Sequence, residues 1–124
     1  MRLNSKWLAV LLVMAVIPMS GCSFMKKLEA RDKLNKGVKA YTEMKYDAAA
    51  QFFERTLELD PDFETARMYL ATAYTSQFVP GSSDPKSEEM AQKGIETFKQ
   101  VVERSKDPAS STYTNAMLSI ASLY

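Results

Sequence analysis

The 124-residue chain contains no histidine and a single cysteine, Cys22. Without histidine, the chain lacks the side chain that most often moves protons near neutral pH. A single cysteine excludes an intramolecular disulfide and a zinc site built from clustered cysteines. Its four glycines do not form a glycine-rich phosphate loop, which excludes nucleotide binding of that kind. These absences argue against an enzyme, a metal centre and a bound cofactor.

The remaining candidates for acid–base chemistry are the adjacent carboxylates of Glu88 and Glu89. A glycosidase needs two carboxylates on either side of the bond that it cleaves. Adjacent residues on a helix point in different directions, and acidic residues are favoured in the first turn of a helix for electrostatic reasons alone. The formal net charge of +1 is too small to favour general nucleic-acid binding. We therefore expect no catalysis, no small-molecule substrate and no nucleic-acid partner.

The N-terminus has the features of an export signal. Arg2 and Lys6 precede an apolar run over residues 7–19. A run of that length suits a signal peptide, whereas a membrane span needs about 18 residues or more. The run ends in Met19-Ser20-Gly21-Cys22, where small residues precede the cysteine. The alternative to a lipid-attachment site is a plain secretory signal followed by an incidental cysteine.

This ending resembles the lipobox of bacterial lipoproteins, with Met19 in place of the usual leucine. The resemblance implies that residues 1–21 are cleaved and that Cys22 becomes a diacylated N-terminus. Two or more acyl chains anchor a protein stably, whereas a single chain gives marginal binding. Ser23 rather than an aspartate follows the cysteine, and in this family that implies the outer membrane, facing the periplasm.

A second pattern, of small and large apolar residues, repeats with a period of about 34 residues. The first copy contains Gly37, Tyr46, Ala49, Phe53, Leu57 and Asp60-Pro61, and the second opens with Leu70, Ala71 and Tyr74. Similar types return at Gly94, Phe98, Val101 and Asp107-Pro108, and a third copy opens with Ala116, Ile120, Ala121 and Tyr124. Small residues let two helices approach closely, while the large ones share one helical face. An ordinary amphipathic hairpin with accidental matches is the alternative.

This pattern resembles the tetratricopeptide repeat, which implies an all-α, right-handed solenoid of helical hairpins, about two and a half repeats long. The predicted helices are residues 25–43, 47–58, 63–77, 85–105 and 109–124. The domains are a signal peptide (1–21), a lipidated cysteine with a linker (22–24) and a repeat domain (25–124), with hairpins at about 25–60 and 61–107 and an incomplete third from 108. Because that third copy has no return helix, we expect the natural chain to continue past Tyr124. The alternative is that a partner or a second copy of the chain completes the hairpin.

Residues 76–83 form an insertion relative to the repeat, rich in turn-forming residues and containing the apolar pair Phe78 and Val79. Because Pro80-Gly81 turns the chain directly afterwards, we expect both apolar side chains to fold back onto the second hairpin. Asp84-Pro85 then predicts the cap and the first residue of the following helix.

In tetratricopeptide proteins, the first helix of each hairpin lines a concave groove that holds a protein partner. Mapped onto this chain, the resemblance assigns the groove to Arg31, Leu34, Val38, Tyr41, Thr65, Met68, Thr72, Thr75, Asn115, Leu118 and Ser122. This set is apolar with hydroxyl groups and nearly uncharged, so a clamp for a terminal carboxylate is not expected. An extended segment or a partner helix fits better. The alternative is that these side chains only pack against one another.

The resemblances imply a lipid-anchored scaffold or adaptor that mediates protein–protein interactions in a bacterial cell-envelope complex. A pilotin-like or outer-membrane assembly factor is an alternative within the same fold, and a periplasmic cell-wall enzyme is an alternative of another class. Seven basic residues lie between residues 26 and 45, close to the anchor. They either attract anionic lipid headgroups or form a solvated helix face.

We expect Cys22→Ala to abolish lipidation, because the cysteine sulfur accepts the lipid, and to leave an uncleaved or soluble product. Membrane fractionation followed by mass spectrometry of the N-terminal peptide measures this outcome. Wild-type protein in the soluble fraction, with no lipid mass on that peptide, would contradict the prediction.

Overall fold

The computed structural model describes the backbone of residues 5–123 and the side chains of residues 21–123. This part of the chain folds into five α-helices and contains no β-strand. The helices are α1 (Ser5–Thr42), α2 (Tyr46–Leu59), α3 (Glu64–Thr75), α4 (Pro85–Arg104) and α5 (Ser111–Ala121). The all-α prediction is confirmed for these residues, while Tyr124, the last residue of the predicted fifth helix, lies outside the described part.

The start of α1 differs from the prediction, which placed it at residue 25. The helix begins at Ser5 and runs without a break through the apolar segment. That segment contains Leu, Ala and Met, which favour helices, although Pro18 and Gly21 cost about 3 and about 1 kcal/mol relative to alanine in a helix interior. The predicted start instead followed the expected division into signal peptide, linker and repeat domain, and the helix crosses that division. The other helix ends lie within about three residues of their predicted positions.

Capping side chains fix the starts of the last two helices. The Asp84 carboxylate accepts a hydrogen bond from the backbone N–H of Lys86 at 2.9 Å, and Pro85 is the first helical residue. This geometry confirms the predicted start of α4. The Ser110 hydroxyl accepts from the N–H of Tyr113 at 3.2 Å, so α5 begins two residues later than predicted. Caps of this kind contribute about 1 kcal/mol each.

The first two helices approach closely at Gly37, which faces the ring of Phe53. A Cβ atom at Gly37 would lie 2.5 Å from Cε1 of Phe53, closer than non-bonded carbon atoms approach. Phe53 is fully buried. The other buried residues of this first core cluster are Ala40, Ala49, Ala50, Leu70 and Ala73. Small residues thus surround one large ring, and α1 fits against α2 because position 37 has no side chain.

A second core cluster joins the later helices. Its buried members are Ala71, Phe98, Val101 and Ala116, from α3, α4 and α5. Gly94 on α4 lies directly against the side chain of Thr75 on α3, so a glycine again permits a close approach. Each helix packs against the next one along the chain, and α1 also contacts α3.

Two polar contacts tie the ends of the helices together. Arg104, at the end of α4, pairs with Asp62 at 2.6 Å and with Glu64 at 2.5 Å, both near the start of α3. The hydroxyl groups of Tyr41 and Ser76 lie 2.9 Å apart, which connects the end of α1 to the end of α3. Exposed ion pairs contribute about 0–1 kcal/mol each, so these contacts orient the helices more than they stabilise them.

Gly37→Ala should lower the free energy of unfolding by about 1–3 kcal/mol, because the added methyl group overlaps the Phe53 ring. At an unobstructed helix position, alanine is more favourable than glycine by about 1 kcal/mol. The sign of the change therefore tests the contact itself. Denaturant unfolding followed by circular dichroism measures it.

Asn35→Ala, at an exposed position of the same helix, is the matched control and should change stability by no more than about 0.5 kcal/mol. In a double-mutant cycle, Phe53→Leu should relieve part of the penalty of Gly37→Ala. A Gly37→Ala protein that is as stable as the wild type would contradict the close approach of α1 and α2.

Candidate functional site

A groove between α3 and α5 is the best candidate for a binding site. It encloses a cavity of about 300 Å³. Its lining residues are Glu64, Thr65, Met68, Tyr69, Thr72 and Thr112. Five of these come from α3 and one from α5, so α3 forms the main wall.

Helical spacing places these α3 residues on one face. Thr65, Met68 and Thr72 lie three and four positions apart, and residues at such spacing are neighbours on a helix surface. The hydroxyl of Thr72 donates to the backbone carbonyl of Met68 at 2.9 Å. Met68 itself packs against the second core cluster, so this wall is fixed by the core behind it.

Three of the four groove residues predicted on α3 line this cavity, and the fourth does not. Thr65, Met68 and Thr72 lie in the wall. Thr75 instead packs against Gly94 on α4, and its hydroxyl donates to the carbonyl of Thr72 at 3.1 Å. Thr75 therefore joins two helices rather than facing the cavity.

The groove residues predicted on α1 lie elsewhere. Leu34, Val38 and Tyr41 are half-buried and pack against the first core cluster. The Tyr41 ring also contacts that of Tyr46, with centroids 5.1 Å apart. Arg31 is exposed and lines a separate depression of about 210 Å³ beside the α2–α3 turn. The structure thus uses the apolar members of this set mainly for packing.

The groove residues predicted on α5 are exposed but do not line the cavity. Asn115, Leu118 and Ser122 all face solvent. Ser122 follows the last turn of the helix, where its hydroxyl donates to the carbonyl of Ser119 at 2.8 Å. The opposite wall of the groove is formed instead by Thr112, one turn before Asn115.

Tyr69 is a groove residue that the sequence analysis missed. It lines the cavity, is about 38% exposed and stacks on the Phe53 ring with centroids 5.4 Å apart. Its spacing from Thr65 and Thr72 matches neighbouring positions on a helix face, so periodicity alone could have included it. The assignment followed the repeat's customary groove positions, which skip this residue.

The single charge in the groove is neutralised within the protein. The Glu64 carboxylate pairs with Arg104 at 2.5 Å and lies 3.6 Å from Nε of Arg67. The hydrogen bonds that the Arg104 guanidinium donates to Glu64, and then to Asp62, raise its pKa. An ion-paired carboxylate is a poor attractor of a cationic ligand. The groove therefore presents mainly apolar surface and hydroxyl groups.

Comparisons of this chain with protein-family models, with curated proteins and with solved structures find no match. The assignment of the site therefore depends on geometry and chemistry alone. Within the described part of the chain, no cluster of three or more acidic, histidine or cysteine side chains is placed to hold a metal ion. None of the helices described there combines the length and the apolar character that crossing a membrane requires.

The inserted loop, residues 76–83, lies apart from this groove. Its two apolar residues, Phe78 and Val79, differ in burial. Phe78 is half-buried and lines a depression together with Ala91 and Ile95 of α4, a position consistent with the predicted folding back. Val79 is about 59% exposed, and the prediction was wrong for its side chain. Its backbone N–H donates to the Ser87 hydroxyl at 2.8 Å, so the loop is held by the backbone of Val79 while the side chain faces solvent.

A separate contact on α2 and α3 affects one ionisable side chain. The Tyr74 hydroxyl donates to the Glu54 carboxylate. Burial, and then this hydrogen bond, raise the pKa of Tyr74 well above its usual value. The neutral phenol is thus stabilised in the folded state, so its contribution to stability is present at neutral pH and is lost in strong alkali. Tyr74 is not part of the groove lining.

Met68→Ala should lower the free energy of unfolding by about 1–3 kcal/mol, because its half-buried side chain supports the second core cluster. Leu118→Ala should change it by no more than about 0.5 kcal/mol, because Leu118 is exposed. Denaturant unfolding of the two variants measures the difference. The reverse order of stabilities would contradict the placement of these two residues.

Proposed function

We propose that this chain is a lipid-anchored tetratricopeptide scaffold of the bacterial cell envelope, which holds a segment of a partner protein in the α3–α5 groove. Cys22 carries the lipid, and the outer membrane, on its periplasmic side, is the site of attachment. The observation that carries the binding part of this proposal is the groove wall itself. Thr65, Met68 and Thr72, which the repeat geometry assigned to partner binding, are together in one cavity.

The burial pattern supports the repeat. Equivalent positions of the first two hairpins behave alike: Ala49 and Gly94 are buried, and so are Phe53 and Phe98. Small side chains at these places let the second helix of each hairpin approach the first. Ala66 and Ala116, at equivalent places in the second and third copies, are both fully buried.

The third copy departs from the others at one position. Ala121 is exposed, whereas its equivalent Ala71 is fully buried. Ala71 is covered by the packing of α3 against α4 and α5. In the described part of the chain, α5 has α4 as its main neighbour. In a solenoid, such a position is buried only when a following helix packs on it.

The exposure of Cys22 supports the anchor. Its side chain is accessible on α1, as are all residues from 21 to 29. The first fully buried side chain of the described part is that of Ala30. A lipid on Cys22 would therefore be attached to an exposed segment that lies outside the described core.

The chemistry of the groove indicates the kind of segment that it holds. A cavity of about 300 Å³ accommodates one or two large side chains rather than a whole cofactor. The Thr72 hydroxyl already donates to its own helix, and Glu64 is ion-paired. Apolar anchoring by a partner side chain, supported by few hydrogen bonds, is the mode that these walls favour.

Site-specific photo-crosslinking in living cells tests this function. A photoreactive residue at Thr65, on the groove wall, should capture one defined envelope protein. The same residue at Gln51, which is exposed on α2 away from the groove, is the positional control and should not capture it.

Thr112→Arg places an unpaired charge in the groove and should lower the crosslinking yield from Thr65 about tenfold, which corresponds to about 1.4 kcal/mol. Thr114→Arg, at an exposed position on the same helix, is the matched control and should leave the yield unchanged. Equal capture of the same protein from positions 65 and 51 would contradict binding in this groove. So would a crosslinking yield from position 65 that Thr112→Arg does not change.

A further inference from the structure

We propose that residues 22–29 of α1 form a membrane-contacting foot, whose apolar side chains enter the headgroup region of an anionic lipid surface. The inference extends the proposed function, because it uses the anchor at Cys22 but assigns a new contact to other side chains. Phe24, Met25 and Leu28 are the apolar residues of this foot. They are 67%, 63% and 53% exposed, respectively.

The first observation is that these side chains have no cover within the protein. Every residue from 21 to 29 is exposed, and complete burial starts only at Ala30. The helix that packs against α1 is α2, which has 14 residues, so it covers only part of the much longer α1. Large exposed apolar side chains that cluster together indicate an interaction surface.

The second observation is the direction in which the foot faces. Phe24 and Leu28 are four positions apart, and Met25 and Leu28 are three apart, so the three share one face of the helix. At about 100° per residue, the centre of this face lies about 170° around the helix from Ala30. Ala30 is fully buried and marks the packed side. The apolar face is thus directed away from the helices, and intramolecular packing does not reach it.

The third observation is the charge beside this face. At about 100° per residue, Arg31 and Lys27 lie about 65° and about 105° from the centre of the apolar face, whereas Lys26 and Lys33 lie on the other side of the helix. Within residues 21–123, neither Arg31 nor Lys27 makes an ion pair. Lys27 and Arg31 share a depression with Asp60 and Asp62, yet neither forms an ion pair with them. Basic side chains next to an apolar helix face are the pattern of helices that lie in an anionic lipid interface.

The position of the anchor favours lipid over a protein as the occupant. Cys22 lies two residues before Phe24, so acyl chains on that cysteine hold the foot at the bilayer surface. A helix rises about 1.5 Å per residue, which puts the buried part of α1, from Ala30 onward, about 12 Å from Cys22. The foot therefore lies along the headgroup region with its apolar face towards the lipid, and the buried part of α1 begins at its far end.

Hydrogen exchange measured by mass spectrometry on the mature lipidated protein, which starts at Cys22, in vesicles tests this foot. In vesicles that combine phosphatidylcholine with 30% phosphatidylglycerol, roughly the anionic content that attracts basic segments, the peptide covering residues 22–30 should be protected. The variant Phe24→Ser/Met25→Ser/Leu28→Ser should exchange about tenfold faster in that peptide, a change of about 1.4 kcal/mol in protection. The matched control is Met117→Ser/Leu118→Ser, which alters exposed apolar residues on α5 and should not change exchange at the foot.

Charge is tested separately from apolar insertion. Lys27→Gln/Arg31→Gln, which neutralises the two basic residues that flank the apolar face, should sharply reduce the difference in protection between anionic vesicles and vesicles of phosphatidylcholine alone. Because all of the substituted residues are exposed, the circular dichroism spectra of these variants should match that of the wild type, which separates a lost contact from a lost fold.

The mass spectra from the hydrogen-exchange experiment also show whether the N-terminal peptide carries the lipid. They therefore distinguish failure of the anchor from failure of the foot. A foot protected by anionic vesicles on a chain without lipid would support the foot and refute the anchor. Equal exchange of the wild type and the triple-serine variant, whether or not the lipid is attached, would overturn the foot. Protection in native membranes but not in pure lipid vesicles would assign this face to a protein and would also overturn it.

Discussion

The contact between Gly37 and the ring of Phe53 is the constraint on which the rest of this structure depends. It lets α1 approach α2 closely enough for the ring to be fully buried. The same ring stacks on Tyr69 of α3 with centroids 5.4 Å apart, and Tyr69 lines the α3–α5 groove. A position without a side chain on the first helix thus helps to set the wall of the candidate binding site on the third.

Much of this arrangement could be predicted from the sequence, because the signals are local. The alternation of small and large residues determines which helices approach closely, so the pattern predicts that Gly37, Phe53 and Phe98 are packing residues. All three are buried. Asp84-Pro85 predicted the start of α4 through capping chemistry that depends on only a few neighbouring atoms. Helix boundaries of this kind follow from hydrogen bonds within one or two turns.

The parts that could not be predicted depend on tertiary geometry. A repeat position shows which face of a helix a side chain occupies, but the fit of neighbouring elements decides whether that face is open. Leu34 and Val38 are drawn into the first core cluster, and Leu118 faces solvent outside the cavity. The predicted start of α1 was wrong for another reason, since it followed the expected division into signal peptide, linker and repeat domain, and that division does not determine where a helix begins.

Solution NMR of the Phe53 ring tests the central claim, that one ring links the close approach of α1 and α2 to the groove wall. The account predicts nuclear Overhauser contacts from the Phe53 ring protons to the α-protons of Gly37 and to the ring of Tyr69. It also predicts a ring-current shift of the Gly37 α-protons, because they lie against the aromatic ring. Helical chemical shifts throughout α1, α2 and α3, without either set of contacts, would contradict it.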